Sequence, residues 1–315
     1  MTNLSSKIQK PAKLTRDDWW QILKRVFAKI EKHNVTMLSA AVAFYAMLAV
    51  FPALGAIVSL YAMVADPTEV ISHFNLLAKA LPDDVTQIFN DQLLNITQVY
   101  SETLGFRFFV GLAFSLWSAH RGIHALTNAI TIAYQEKESR NFIHLNLVSL
   151  GMTLGAVVIV VIALVIMLAL PSIILFLPLT DWQVTLTTIL SWLAFLATIV
   201  FSFNLLYRFA PPRRPAKWHW LSSGALLATT LCITGSIGFT LYVRYFGNYN
   251  EMYGTLGAFI VLLLWFYLTN FAVVLGAMLN AEMELQTSAD TTVGKARPLG
   301  ERGAYVADTP PPKSS

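Results

Sequence analysis

LVSLGMTLGAVVIVVIALVIMLAL, residues 147–170, carries no charged side chain and is closed by Pro171. A helix needs about 20 predominantly apolar residues to cross roughly 30 Å of hydrocarbon, and in that medium it must satisfy its backbone hydrogen bonds internally. Comparable runs cover 37–64 upstream and 184–207, 221–243 and 255–279 downstream. The bilayer is therefore the solvent for most of this chain. The composition agrees: of 315 residues, 56% are hydrophobic and 13% charged, against about a quarter charged in soluble domains. A soluble enzyme, a disulfide scaffold and a disordered protein are excluded. The one cysteine, Cys232, cannot form an intramolecular disulfide and falls in an apolar run, where it packs as a small hydrophobe.

Residues 104–119 form a shorter apolar run containing Arg107, after which Ile123, Leu126, Ala129, Ile130 and Ala133 keep helical spacing. The pattern predicts one long helix over 104–134 that crosses the bilayer and runs on into polar surroundings. With this crossing there are six spans, and the positive-inside rule orients them. An amino terminus inside the cell puts 19 of the 22 lysines and arginines on the cytoplasmic side and leaves Lys79, Arg107 and Arg244 outside. The fold class expected is all-α, a polytopic membrane protein with six transmembrane helices and both termini in the cytoplasm.

Three segments flank or interrupt the spans. Residues 1–36 hold eight basic residues against Asp17, Asp18 and Glu31, with Trp19, Leu23, Val26, Phe27 and Ile30 at helical spacing. Such a helix either lies in the headgroup region with its cations near anionic lipid or packs on the protein's own cytoplasmic face. No short apolar core with a small-residue cleavage site precedes the first span, which is expected to act as an uncleaved signal-anchor. Residues 66–103 carry six acids and one lysine and read as an acidic helical hairpin on the outer side, its second helix opening at Pro82, Asp83 and Asp84. Residues 281–315 contain Gly294, Gly300, Gly303 and a run of prolines at 310–312 with few large apolar side chains. They are expected to form a disordered cytoplasmic tail, which leaves 37–280 as the membrane domain.

Ionisable and amide side chains inside a membrane are costly, which makes them functional candidates. His120, His124 and Asn128 fall at i, i+4 and i+8 on one helical face, beside Arg121 and preceded by Arg107. Looking into a bundle, that face would bind an anionic headgroup or line a path; beyond the bilayer it would be a wetted extension. The residues between the histidines include no carboxylate, so no metal site is read. Asn204 and Asn270 are expected to bond across to other helices. Pro52 with Gly55 marks a kink or hinge in the first span. Gly151 with Gly155, and Gly254 with Gly257, suit close helix approach, and Trp182, Trp218 and Trp220 suit interfacial anchoring. The basic loop 208–217 orients the protein and is a secondary candidate for lipid phosphates.

Ser39 to Tyr45 (SAAVAFY) leads to Phe51 and Pro52. Trp117 and Ser118 precede Ala125-Leu126-Thr127-Asn128 and Tyr134. Further on come Tyr207-Arg208-Phe209-Ala210-Pro211, then Tyr253-Gly254-Thr255-Leu256-Gly257, Leu264-Trp265 and Gly276-Ala277. In this order and spacing, over about residues 35–282, the chain resembles the YihY or virulence factor BrkB family of bacterial inner-membrane proteins, once labelled ribonuclease BN. The resemblance implies a six-helix inner-membrane protein and no established reaction. The family pattern often places a glutamate after Gly-Ala in the last span; here that position is Met278, with Glu282 one turn further on.

A nuclease would need metal-binding carboxylates or a positioned acid and base near a nucleic-acid surface. The cytoplasmic acids are sparse and unclustered, and no phosphate-binding glycine loop or RNA-binding motif is present. The expected protein is non-enzymatic, without cofactor, metal or nucleic-acid partner. It moves or organises a lipid or other amphiphilic, anionic substrate, with Arg107, His120, Arg121, His124, Asn128, Asn204 and Asn270 along the path. The alternative is an envelope-integrity scaffold that binds a protein partner through the outer hairpin.

Overall fold

The computed structural model describes residues 11, 14–62, 104–169, 180–246 and 256–310. The acidic hairpin expected over 66–103 and Gly254 lie outside the described residues. Among the described residues eight α-helices run in chain order: α1 Arg16–Lys32, α2 Val35–Ala62, α3 Leu104–Ala133, α4 Phe142–Leu164, α5 Asp181–Phe209, α6 Trp218–Phe246, α7 Leu256–Leu285 and α8 Tyr305–Asp308. A π-helical turn, Val165–Ala169, continues α4. Among the described residues the extended pairing is a single bridge between Ala216 and Thr292. The fold is all-α.

Among the described residues five segments are long and apolar enough to cross a membrane: Val35–Ala53, Phe142–Met167, Trp182–Phe209, Trp218–Tyr245 and Leu256–Leu285. α3 is outside this set by composition, yet its 30 residues reach about 45 Å at 1.5 Å per residue. That exceeds the hydrocarbon thickness, as the reading of a span with a polar extension requires. α4 shows what lipid-facing helices look like, with Leu147, Leu150, Leu154, Val157, Val158 and Val161 all exposed.

The chain divides into two units. One holds residues 1–39, 123–235 and 269–315; the other holds 40–122 and 236–268. In the second unit, Ser115 donates to the Ala49 carbonyl at 3.2 Å and Trp265 donates to the Ser236 hydroxyl at 3.0 Å. Phe51 stacks on Phe259 with ring centroids 4.7 Å apart, so α2, α3, α6 and α7 are tied pairwise. α2 runs unbroken through Pro52 and includes Gly55.

The first unit is built around the crossing of α6 and α7 at Gly224 and Gly276. The Asn280 amide accepts from Gly224 N at 2.7 Å and donates to the Leu221 carbonyl at 3.0 Å. Tyr207 donates to the Val273 carbonyl at 2.7 Å. The glycine pair expected at Gly151 and Gly155 is not a close approach among the described residues, because a Cβ on either would meet none of them within 4 Å. Trp220 is 1% exposed and belongs to this core; Trp182 and Trp218 are exposed, as interfacial rings should be.

α1 starts with a capping box, Thr15 Oγ1 accepting from Asp18 N and Asp18 Oδ2 accepting from Thr15 N, an arrangement that satisfies two otherwise orphan donors. Asn34, at φ 49°, turns the chain into α2. Of the two settings open to α1, packing on the protein accounts for one face of the helix. Ile22 and Val26 are buried against the protein, while Trp20, Leu23 and Phe27 form an exposed apolar stripe suited to the headgroup region.

The tail differs from the expectation of disorder. Residues 286–310 fold onto the 208–217 loop: Lys217 N donates to Thr291 O, Val293 N to Pro215 O and Arg214 N to Gly303 O. Arg302 donates to the carbonyls of Ser288, Ala289, Arg297 and Ala307. Asp308 accepts from the backbone N–H of Gly300, Arg302, Gly303 and Ala304. Polar tethers order the segment where apolar burial alone would not, and a composition count does not register them.

Burial works against the charge of Asp290 and Asp308, but hydrogen bonds from Thr292 and Arg297 to the first and from backbone N–H groups to the second hold both carboxyls below the ordinary 3.8. A depressed native pKa contributes stability above the unfolded value, and that stability is lost as pH falls through the native one. The tail should stay docked above pH 3.8 and come loose on further acidification. Limited proteolysis at tail sites across that window checks this; Asp308→Asn should make the tail sensitive at neutral pH, and a tail equally protected in wild type and variant would refute the tethering.

Candidate functional site

α3 carries the residues picked out as a site, and their exposure shows what the face looks at. Phe106, Val110, Phe114, Trp117, Arg121, His124 and Asn128 recur every three or four residues, hence on one face. All are exposed except His124, which is half-buried. The opposite face of α3, with Ser115, Ser118, Leu126, Ala129 and Ile130, is the buried one. The predicted polar stripe therefore does not point into a packed interior: Arg121 and Asn128 are exposed and His120 is half-buried. The Arg121 guanidinium lies 5.8 Å from the Trp117 ring centroid. His124 is close enough to Glu138 for its charge to help hold that carboxyl below the ordinary range, after the larger effect of the Arg140 hydrogen bond. The polar end of the face thus reaches the 134–141 loop. Arg107 belongs to α3, and its side chain lies outside the described residues.

Asn204 is 7% exposed. Its amide donates to the Val200 carbonyl of its own helix at 2.8 Å, which corrects the expectation of a bond to another helix; Oδ1 is buried without a hydrogen-bond partner among the described residues. Asn270 is half-buried in α7.

A lattice of buried charge was not legible in the sequence. α7 continues six residues past its expected end at 279, to Leu285, and carries Glu282 and Glu284 into the first unit. Glu282 accepts from Arg25 at 2.6 Å and from Lys29, fixing α1. Arg213 donates to Glu284 at 2.7 and 3.2 Å, and Thr291 adds 2.7 Å from the tail. The two side chains are 1% and 0% exposed. Arg213 also lies 4.3 Å from the Tyr134 ring centroid. Burial opposes the Arg213 charge, but the Glu284 carboxylate, Tyr134 and Glu136 together outweigh burial and raise the guanidinium above its ordinary pKa. Burial likewise pushes Glu136 up, against the pull of the Tyr305 N–H. The loop cations are thus mostly committed to the protein itself, since Lys217 Nζ donates to the Asp290 carbonyl.

With the helices and these residues in place, comparison with known proteins is informative. The model of the family described as virulence factor BrkB matches residues 26–299. This chain belongs to the virulence factor BrkB family. A relative in Bacillus subtilis, named ribonuclease-like protein YfkH, is 29% identical over 266 residues, covering 82% of this chain and 94% of its own. The UPF0761 membrane protein IL2447 of Idiomarina loihiensis is 31% identical over 93 residues, 30% of this chain and 32% of that one. A UPF0761 membrane protein of Xanthomonas campestris is 42% identical over 79 residues, 25% of this chain and 18% of its own. No solved structure matches significantly. Family and helices together make this a multi-pass protein of the bacterial inner membrane. In this BrkB-family chain Met278 is buried, and Glu282, one turn on, is the carboxylate that holds α1.

Proposed function

We propose that this BrkB-family protein moves or organises an anionic amphiphile, a phospholipid by class, along the exposed face of α3, without itself being an enzyme. The observation that carries the reading is the order of side chains on that face. Phe106, Val110, Phe114 and Trp117 give way to Arg121, His124 and Asn128 on one unbroken helix. An acyl chain followed by an anionic headgroup presents the same sequence of chemistries to a helix that crosses hydrocarbon and enters the interface. Arg121, stacked on Trp117, offers planar donors to a phosphate at the point where the polarity changes.

The test is reconstitution into vesicles holding a labelled anionic phospholipid, with redistribution between leaflets followed beside empty vesicles. Wild type is expected to accelerate redistribution, and a His124→Ala, Asn128→Ala variant or Arg121→Ala to lose most of that acceleration while eluting as folded protein. Acceleration equal in wild type and both variants would remove the α3 face as the path; no acceleration by folded wild type would overturn lipid movement.

A further inference from the structure

A cleft of about 410 Å³ opens in the first unit between residues 139–148 and the 208–215 loop, with Gly303 of the tail at its edge. Four arginines are among its lining residues, Arg140, Arg208, Arg213 and Arg214, together with His144. Two of these charges are neutralised, Arg140 by Glu138 at 2.8 Å and Arg213 by Glu284 at 2.7 Å. Arg208 and Arg214 have no carboxylate at ion-pair distance among the described residues. Two of the four lining arginines are therefore without a carboxylate counter-charge among the described residues.

Both unneutralised arginines are positioned. Arg208 donates to the Ala216 carbonyl at 2.7 Å, and its guanidinium lies 4.6 Å from the Trp218 ring centroid. The backbone N–H of Arg214 is held by Gly303. Gly294, at φ 94°, leaves space for the side chain, since a Cβ there would stand 2.6 Å from Arg214 Nη2. Arg214 Nη1 is buried with no hydrogen-bond partner among the described residues. A buried guanidinium donor left unmatched is costly, and charge-assisted bonds to an oxyanion are the strongest way to satisfy it.

We propose that this cleft binds a phosphate-bearing anion, with Arg208 and Arg214 as its principal ligands. The fork of a guanidinium matches tetrahedral phosphate oxygens, and two uncompensated charges suit a singly or doubly charged phosphate ester. The volume suits a headgroup rather than a polymer. Val148 and the exposed ring of Phe209 share the lining, so an ester with an apolar substituent would find both halves matched. No residue of α3 lines the cleft, and equilibrium binding to it does not depend on whether lipid moves between leaflets.

The experiment measures binding to the full chain in two settings. In a neutral detergent the probes are inorganic phosphate and glycerol 3-phosphate, followed by calorimetry. In phosphatidylcholine nanodiscs the probe is added phosphatidylglycerol, followed by the shift in thermal midpoint. Wild type should bind in at least one setting, and an Arg208→Gln, Arg214→Gln variant should bind at least tenfold more weakly. An Arg16→Gln, Lys32→Gln variant removes the same charge from exposed positions of α1 and should bind as wild type does. Binding of the soluble probes would make the phosphate group itself sufficient; binding in nanodiscs alone would assign a lipid headgroup. If the double variant does not fold, Arg214→Gln alone carries the comparison. Folded wild type that binds neither kind of probe, or a cleft variant that binds as tightly as wild type, would overturn the site.

Discussion

Arg213→Met should cost this protein about 3–5 kcal/mol, the usual consequence of removing one partner from a buried ion pair. The Glu284 carboxylate that remains is 0% exposed and would keep, among the described residues, the hydrogen bond from Thr291. At 0% exposure the carboxylate is cut off from solvent, so the cost is that of an uncompensated buried charge rather than of a lost contact. Glu284→Leu should be similarly damaging, because it strands Arg213 over the Tyr134 ring. The double variant is the informative one. Hydrophobic replacement of a whole buried pair is often neutral or stabilising, so Arg213→Met with Glu284→Leu should recover much of the loss. Thermal midpoints and the yield of monodisperse protein in one detergent provide the readout. Additive losses in the double variant would mean that the two residues act separately, and a single variant as stable as wild type would mean that the pair is solvated.

The same pair explains where sequence reasoning stopped. The membrane helices were legible because hydrocarbon imposes a condition on every residue of a span, and a window of sequence tests that condition directly. The end of α7 was not. Glu282 and Glu284 read locally as the point where an apolar helix meets water, yet their partners are Arg25, 257 positions away, and Arg213, 71 away. A local window sees two acids and ends the helix; the folded chain sees two neutralised groups and continues it. The tail was misread for the same reason, since its order rests on Arg302, Asp290 and Asp308 gathering backbone groups rather than on apolar side chains.

The candidate site was legible in part. Helical period put His120, His124 and Asn128 on one face, because 3.6 residues per turn is a property of the helix alone. Which way that face looks depends on what packs against the other side, and Ser115, Ser118 and Leu126 turn out to occupy the packed side. The basic cleft is harder still. His144, which no local pattern distinguishes, meets the 208–215 loop only because the start of α4 and the end of α5 come together.

Glycines give the sharpest contrast between pattern and structure, and the second large effect is expected there. Gly151 and Gly155 have the spacing of a helix-packing motif, but a Cβ on either meets none of the described residues within 4 Å. Gly224 with Ala228 and Ala272 with Gly276 have the same spacing with alanine as one partner, and here the approach is real: a Cβ on Gly276 would stand 2.5 Å from the Gly224 carbonyl oxygen and closer still to the Tyr207 hydroxyl. A Cβ on Gly224 would be 2.5 Å from the Asn280 amide and closer to the Gly276 carbonyl. Overpacking typically costs about 1–3 kcal/mol when side chains can yield. Here backbone carbonyls block both positions, so Gly276→Ala and Gly224→Ala should fall at the top of that range or beyond it. Trimming Asn280 should not rescue Gly224→Ala, since the carbonyl stays and the two hydrogen bonds of the amide to α6 are lost as well. Gly151→Ala should be neutral or stabilising by about 0.5–1 kcal/mol, because alanine loses less conformational freedom than glycine on entering a helix. Thermal midpoints of the four variants decide between these geometries. If Gly276→Ala and Gly151→Ala behaved alike, α6 and α7 would not cross at backbone contact, and the platform that positions Tyr207, Asn280 and the carboxylates beyond them would need another origin.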